Sequence, residues 1–98
     1  MIDDLKYSLT PLEIRVLEEF YLREDITLSL KQLYLSLKKK YHIQETSATV
    51  RNKVIKLSKL KMLYIIPKTS PMIIEQSNGI RDMARELVII MKERYKIM

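Results

Sequence analysis

The chain has 98 residues, of which 47% are hydrophobic and 31% charged, with one glycine, three prolines and no cysteine. This balance is typical of a single folded domain over residues 1–98, and it excludes a disulfide framework and a thiolate metal site. No apolar run approaches the roughly 18 residues of a membrane span, and the acidic start does not fit a secretory signal, so we expect a cytoplasmic protein.

A first helix is predicted over residues 11–24. Thr10 and Glu13 have the spacing of a capping box, with Pro11 at the first helical position. Apolar residues then recur at helical spacing and predict one buried face. The other face carries four charged residues: Glu13, Arg15, Glu18 and Glu19.

Residues 26–28 are predicted to form a linker or a short strand. Ser29 and Gln32 then repeat the capping box and begin a second helix, which closes in the lysine run 38–40. Cations at this position stabilise the negative end of a helix dipole. The same lysines are also candidates for contacts with phosphate, and the sequence leaves both interpretations open.

A third helix is predicted over residues 47–61, capped by Thr46 or Ser47. Its buried stripe is formed by Val50, Val54 and Leu57. The opposite face is polar and strongly basic. Its members are Ser47, Thr49, Arg51, Asn52, Lys53, Lys56 and Lys59.

The positive charge is concentrated in the middle of the chain. Residues 31–68 hold ten basic residues and one acidic residue, whereas residues 1–30 carry a net charge of −4 and residues 69–98 a net charge of +1. Such segregation is typical of a surface that binds a polyanion. Nucleic acid is the first candidate and an acidic membrane surface the second.

Two β-prone runs at 63–66 and 72–74 predict a hairpin. The segment between them contains two prolines, which restrict the strand ends to edge positions, and Lys68 lies at the predicted tip. We therefore expect a short hairpin with a basic tip directly after the third helix.

A fourth helix is predicted over residues 80–97, with an apolar surface wider than one stripe. One stripe would pack on the domain's own core, so the second predicts a two-fold homodimer. The alternative is a helix buried on both sides by its own domain. The residues expected at the dimer interface are Ile80, Met83, Leu87, Val88, Ile90 and Met91.

The order of three helices and a hairpin resembles the winged helix-turn-helix family, in particular small archaeal and archaeal-virus regulators and MarR- or PadR-like proteins. The resemblance covers residues 10–75. Lys61 stands where the family usually has glycine, so this residue is expected in a left-handed C-cap unless the helix ends differently. The matching residues are Ala48, Thr49, Val50, Leu57, Met62 and Leu63.

The resemblance implies a mainly α fold with a small β-hairpin, an α+β winged helix of three helices plus a wing. The wide apolar surface of the last segment adds a dimerisation helix over residues 78–98. It also implies a regulator that binds double-stranded DNA, with the third helix in the major groove. Arg51 and Asn52 suit guanine and adenine edges, with Ser47 and Thr49 as shorter partners. Phosphate contacts are expected from four lysines: Lys53, Lys56, Lys59 and Lys68.

Two other functions stay open at this point. One is a protein-interaction winged helix within a transcription or replication assembly, and the other is an architectural DNA binder without sequence preference. Catalysis is not expected, because His42 is the only histidine and Gly79 the only glycine, which leaves no zinc site and no glycine-rich phosphate loop. No cofactor, metal or small-molecule ligand is indicated by any motif.

Overall fold

A computed structural model describes residues 9–23 and 27–96, which form an α+β fold. This part of the chain contains four helices and one three-stranded antiparallel sheet, so the predicted α+β class is confirmed. The helices are α1 (Pro11–Tyr21), α2 (Leu30–Tyr41), α3 (Ser47–Lys59) and α4 (Arg81–Tyr95). The strands are β1 (Thr27–Ser29), β2 (Leu63–Ile66) and β3 (Ile73–Gln76).

The helix starts follow from the local sequence. In both capping boxes, at Thr10 and at Ser29, the side chain accepts a backbone N–H and the residue three positions later reaches back to the cap. α1 ends at Tyr21, before the expected bound. Leu22 is its C-cap, and the N–H of this residue bonds to the carbonyl of Glu18 at 3.0 Å. The predictions made for residues 24, 26, 97 and 98 lie outside the described residues.

The sheet has the order β1-β3-β2, so the predicted hairpin carries a third strand. Leu28 of β1 and Ile65 of β2 both lie opposite Ile74, which is fully buried at the centre of the sheet. β3 is therefore a central strand, which corrects the expectation of an edge position for this strand, whereas β2 lies at the edge of the sheet as expected. The prolines fit because both lie in the turn between the strands, where no ladder N–H is required.

α3 ends in a turn that directs the chain into β2. The N–H of Met62 bonds to the carbonyl of Leu57 at 2.9 Å and the N–H of Lys61 to that of Ser58 at 3.0 Å, the two bonds of a Schellman motif. Lys61 has a φ of 65°, so its predicted left-handed conformation is confirmed. Met62 and Leu57 are both buried, which supplies the hydrophobic contact of this motif.

α1 lies at the centre of the molecule. It packs most extensively on α4 and also contacts α3, α2 and β3. Because α1 has neighbours on several sides, the three glutamates of its charged face are buried and Arg15 is half-buried, which corrects the division into one buried and one charged face. Glu13 is 0% exposed, Glu18 7% and Glu19 1%.

Tyr21 ties α1 to the base of the hairpin. Its hydroxyl donates to the carbonyl of Met62 at 2.5 Å and accepts the N–H of Ser77 at 3.0 Å. Burial raises the pKa of this phenol and outweighs the opposite effect of the bond from Ser77. The side chain of Gln76 adds a hydrogen bond to the carbonyl of Phe20. These contacts fix the hairpin relative to α1, on which α3 also packs.

Candidate nucleic-acid interface

α3 places one side in the core and the other at the surface. Val50, Val54 and Leu57 are fully buried, and the hydroxyl of Thr46 caps the first turn by accepting the N–H of Thr49 at 3.3 Å. Thr49 is half-buried and its own hydroxyl lies 3.3 Å from that of Thr46. The helix contains no acidic residue. We call its four exposed polar side chains the outer face: Ser47, Arg51, Asn52 and Lys59.

Two lysines expected to face outward, Lys53 and Lys56, turn towards α1. The Nζ atom of Lys53 lies 3.1 Å from Oε2 of Glu13, and that of Lys56 lies 3.0 Å from Oε1. The same Oε1 accepts the N–H of Thr10 at 2.9 Å. We call Glu13, Lys53 and Lys56 the Glu13 cluster. This cluster attaches α3 to the first turn of α1. The sequence interpretation did not assign this role to the two lysines.

The electrostatics of the Glu13 cluster favour the ionised carboxylate. Burial alone would raise the pKa of Glu13, but the N–H of Thr10 and the ammonium groups of Lys56 and Lys53 outweigh it and hold this pKa below its ordinary value. One carboxylate faces two ammonium groups, so the cluster keeps one net positive charge. The two lysine side chains are 29% and 40% exposed, and part of that charge reaches solvent.

Two further buried carboxylates on α1 hold α2 and α4 in place. Oε1 of Glu19 lies 2.9 Å from Nζ of Lys40, and Oε1 of Glu18 lies 2.7 Å from Nζ of Lys92. The hydroxyl of Tyr41 donates to Oε2 of Glu18 at 2.6 Å. Burial and this bond raise the pKa of Tyr41 to about 12. Lys40 is thus engaged within the chain, although all three lysines of its run are exposed.

The turn of the hairpin presents Lys68 to solvent. Lys68 is exposed and has a φ of 61°. Thr69 stabilises the turn, because its hydroxyl donates to the carbonyl of Ile66 at 3.2 Å and accepts the N–H of Ile73 at 3.3 Å. The predicted basic tip is therefore present in a hydrogen-bonded turn.

α4 buries half of the residues expected at a dimer interface. Three of them are at most 2% exposed within the protomer, namely Leu87, Val88 and Met91. This part of the expectation is corrected, because these side chains are buried within the protomer, where α1 is the main neighbour of α4. Ile80 and Ile90 are half-buried and Met83 is exposed, so these three retain accessible surface. Ile89, which was not selected, is 54% exposed.

Sequence reasoning missed the roles of two residues around α3. Glu13 was assigned to a capping box and to the charged face of its helix, although it also pairs with Lys53 and Lys56 far along the chain. Leu35 of α2 is 52% exposed. It lies off the face that carries the buried Leu33 and Leu37, and this helical spacing was the signal that predicts its exposure.

The described residues contain neither a cluster of metal ligands nor a helix that could span a membrane. Within 9–23 and 27–96, no group of three or more histidine, aspartate or glutamate side chains is placed to hold a metal ion. Over the same ranges, every helix falls short of the length and apolar character needed to cross a membrane.

Comparison with known proteins adds no relative. No protein-family model, no curated protein and no solved structure matches the chain. Function is therefore inferred from the chemistry and geometry of the residues described above.

Proposed function

We propose that the protein is a winged helix that binds double-stranded DNA and regulates transcription as a homodimer, and that it is not an enzyme. The order α1-β1-α2-α3-β2-β3-α4 and the sheet order β1-β3-β2 support this fold. In such an arrangement α3 is the recognition helix and the β2-β3 hairpin is the wing.

The outer face of α3 is the observation that carries the proposal. It offers a guanidinium, a carboxamide, a hydroxyl and an ammonium group on one exposed surface, with no carboxylate on the helix. The Glu13 cluster anchors the helix that bears these groups. A rigid, acid-free helix with reading groups matches what the major groove requires.

The roles within this interface differ by side chain. Arg51 suits the O6 and N7 acceptors of guanine, and Asn52 suits the N6 and N7 atoms of adenine. Lys59 and the wing residue Lys68 are exposed and suit phosphate. Ser47, at the start of α3, offers a hydroxyl that reaches a shorter distance towards the DNA bases. Thr49 has the same role, although its side chain is half-buried. Lys53 and Lys56 act mainly as positioning residues, and their residual positive charge adds a weaker attraction for phosphate.

The homodimer is proposed to form through the accessible apolar side chains of α4. Met83 and Ile90 lie two turns apart on one side of this helix, with Ile80 just before its start. A two-fold axis along this side would place two recognition helices about one turn of DNA apart, roughly 34 Å. The expected binding site is therefore a palindrome.

The test is duplex binding across a salt series, using a random and a genomic library. We expect the protein to select a few palindromic sites, and the variant R51A/N52A to lose that selectivity, because each bidentate base contact contributes about 1–3 kcal/mol of discrimination. The matched control is N78A/R81A, which removes the same residue types from exposed positions beyond β3, away from the hairpin tip. The control should select the same sites as the unaltered protein.

Other outcomes would contradict the proposal in distinguishable ways. Binding that is uniform across sequences and falls steeply with salt would indicate an architectural protein. No binding at low salt would indicate that the basic surface meets an acidic protein instead. Equal loss of selectivity in both double variants would remove α3 as the reading element.

A further inference from the structure

A groove lies where α2, the start of α3 and the arm of the hairpin meet. Its volume is about 510 Å³, which falls within the roughly 300–1,000 Å³ typical of small-molecule sites. α2 contacts α3, and it is joined to the segment before β3 by a hydrogen bond from the N–H of Leu30 to the carbonyl of Met72 at 2.9 Å. The lining includes Leu30, Lys31, Leu35, Ser47, Arg51 and Met72.

The walls of this groove are mainly apolar. Leu30 and Leu35 come from α2 and Met72 from the segment before β3. Leu35 is 52% exposed although it is a large aliphatic residue. An exposed leucine beside other apolar side chains in a concave surface gives an organic ring or chain an area to cover.

The polar groups of the groove have one sign of charge. Lys31 and Arg51 are exposed cations, and no acidic residue lines the groove. Neither cation forms an ion pair with a carboxylate among the described residues. Ser47 adds a hydroxyl, and because α3 begins there, the positive end of its dipole adds to the attraction for an anion.

We infer that this groove binds a small organic anion with an apolar body, such as an aromatic or alicyclic carboxylate or sulfonate. An inorganic anion would pair with Lys31 and Arg51 but leave the apolar walls uncovered. A neutral apolar molecule would cover the walls but weaken the hydration of both cations without replacing it. Only a molecule with both features matches the lining.

Occupancy of the groove has a consequence for DNA binding, and this consequence rests on the proposed function. Ser47 and Arg51 belong both to the groove and to the outer face of α3. A bound anion would engage Arg51 and place negative charge beside the DNA phosphates. Ligand and DNA would therefore compete, which makes the groove an effector site.

The probe for the experiment is anilinonaphthalene sulfonate, a fluorescent apolar anion, and its uncharged relative N-phenylnaphthylamine is the comparison. We expect saturable binding of the sulfonate to the folded protein and at least about tenfold weaker binding of the neutral probe. Equal affinity for the two probes would overturn the requirement for an anion.

Two pairs of variants locate the binding. L35S should weaken sulfonate binding about tenfold, whereas I89S, which alters an equally exposed aliphatic residue on α4, should leave it unchanged. K31Q should weaken binding of the sulfonate and not of the neutral probe, while K39Q, at another exposed lysine of α2, should do neither. Equal effects within either pair would place the probe elsewhere and overturn the site. Thermal melts confirm that each variant is folded.

Competition with duplex DNA separates this inference from the proposed function. If DNA binds and the sulfonate displaces it in the unaltered protein but not in L35S, both stand. If DNA binds and the sulfonate leaves it unaffected, the effector role is overturned while the proposed function stands. If no duplex binds but the variants still locate the probe in the groove, the ligand site stands and the proposed function fails.

Discussion

The two flanks of α3 use lysine for different purposes. On the flank next to α1, Lys53 and Lys56 pair with a fully buried carboxylate. On the outer face, Lys59 is exposed, one turn beyond Lys56. All three lysines are on the same helix, but only Lys53 and Lys56 are within ion-pair distance of Glu13. Position relative to a buried acid therefore decides whether a lysine holds the fold together or is available to a ligand.

Part of the positive charge in the middle of the chain is neutralised within the molecule. The positive segment 31–68 contains ten basic residues, but Lys40, Lys53 and Lys56 each lie within 3.1 Å of a carboxylate oxygen on α1. The acidic first third and the basic middle third are thus partly complementary within one molecule. Segregated charge along a sequence marks an internal contact as well as a surface for a polyanion.

The largest effect is expected from removing the acid of the Glu13 cluster. E13A leaves two partly buried ammonium groups without their carboxylate and also removes half of the capping box. We expect a loss of about 3 kcal/mol in the free energy of unfolding, the low end for a broken buried pair because both lysines reach solvent. Urea denaturation measures this loss.

The matched control for E13A is E86A, which removes an exposed glutamate from α4. It should change the free energy of unfolding by no more than about 0.5 kcal/mol. E13Q should lie between the two, because its amide oxygen still accepts the N–H of Thr10 but carries no charge. A loss in E13A no greater than in E86A would show that the cluster does not anchor α3.

A smaller effect is expected from pH. Burial would raise the pKa values of Glu13 and Glu18, but ion pairs and hydrogen bonds hold both below the ordinary value of 4.5. The resulting stabilisation is fully present above pH 4.5 and is lost as the pH falls through the lower pKa values of the folded state. Urea titrations between pH 7 and pH 3 should show this decline.

The variant E13Q/E18Q isolates the contribution of these two carboxylates. It should be less stable at pH 7 and should lose less stability between pH 5 and pH 3 than the unaltered protein, because amides do not titrate. An equally steep decline in both proteins would assign the acid sensitivity to other groups.

Much of the fold was predictable because its signals are local. The capping boxes at Thr10 and Ser29 each depend on residues within one turn. The outer face of α3 was predictable for the same reason, since Val50, Val54 and Leu57 define its buried side. Helical periodicity then assigns the remaining side chains to solvent. The left-handed conformation of Lys61 was expected from the family resemblance, in which glycine usually stands at this position.

The Glu13 cluster and the limited interface on α4 were not predictable in this way. Periodicity marks the apolar face of a helix, but α1 has neighbours on several sides, and its acids meet lysines far away in sequence, as Glu18 meets Lys92. On α4, the periodic stripes did not show that Leu87, Val88 and Met91 are all buried within the protomer. Both features depend on which elements pack together, and the hydrophobic periodicity of a single helix does not show which neighbours it will have.

The comparison of the two flanks predicts a difference in DNA binding between two single substitutions. K59A removes an exposed ammonium group and should lower the slope of log affinity against log salt by about 1, as expected for one lost phosphate contact. K53A removes a group already paired with Glu13, so its slope should change by less than half as much, although its stability should fall more. Filter binding across a salt series and urea denaturation of the same samples measure the two quantities. If K53A reduced the slope as much as K59A, the ion pair with Glu13 would not withhold Lys53 from DNA, and both flanks of α3 would serve the same surface.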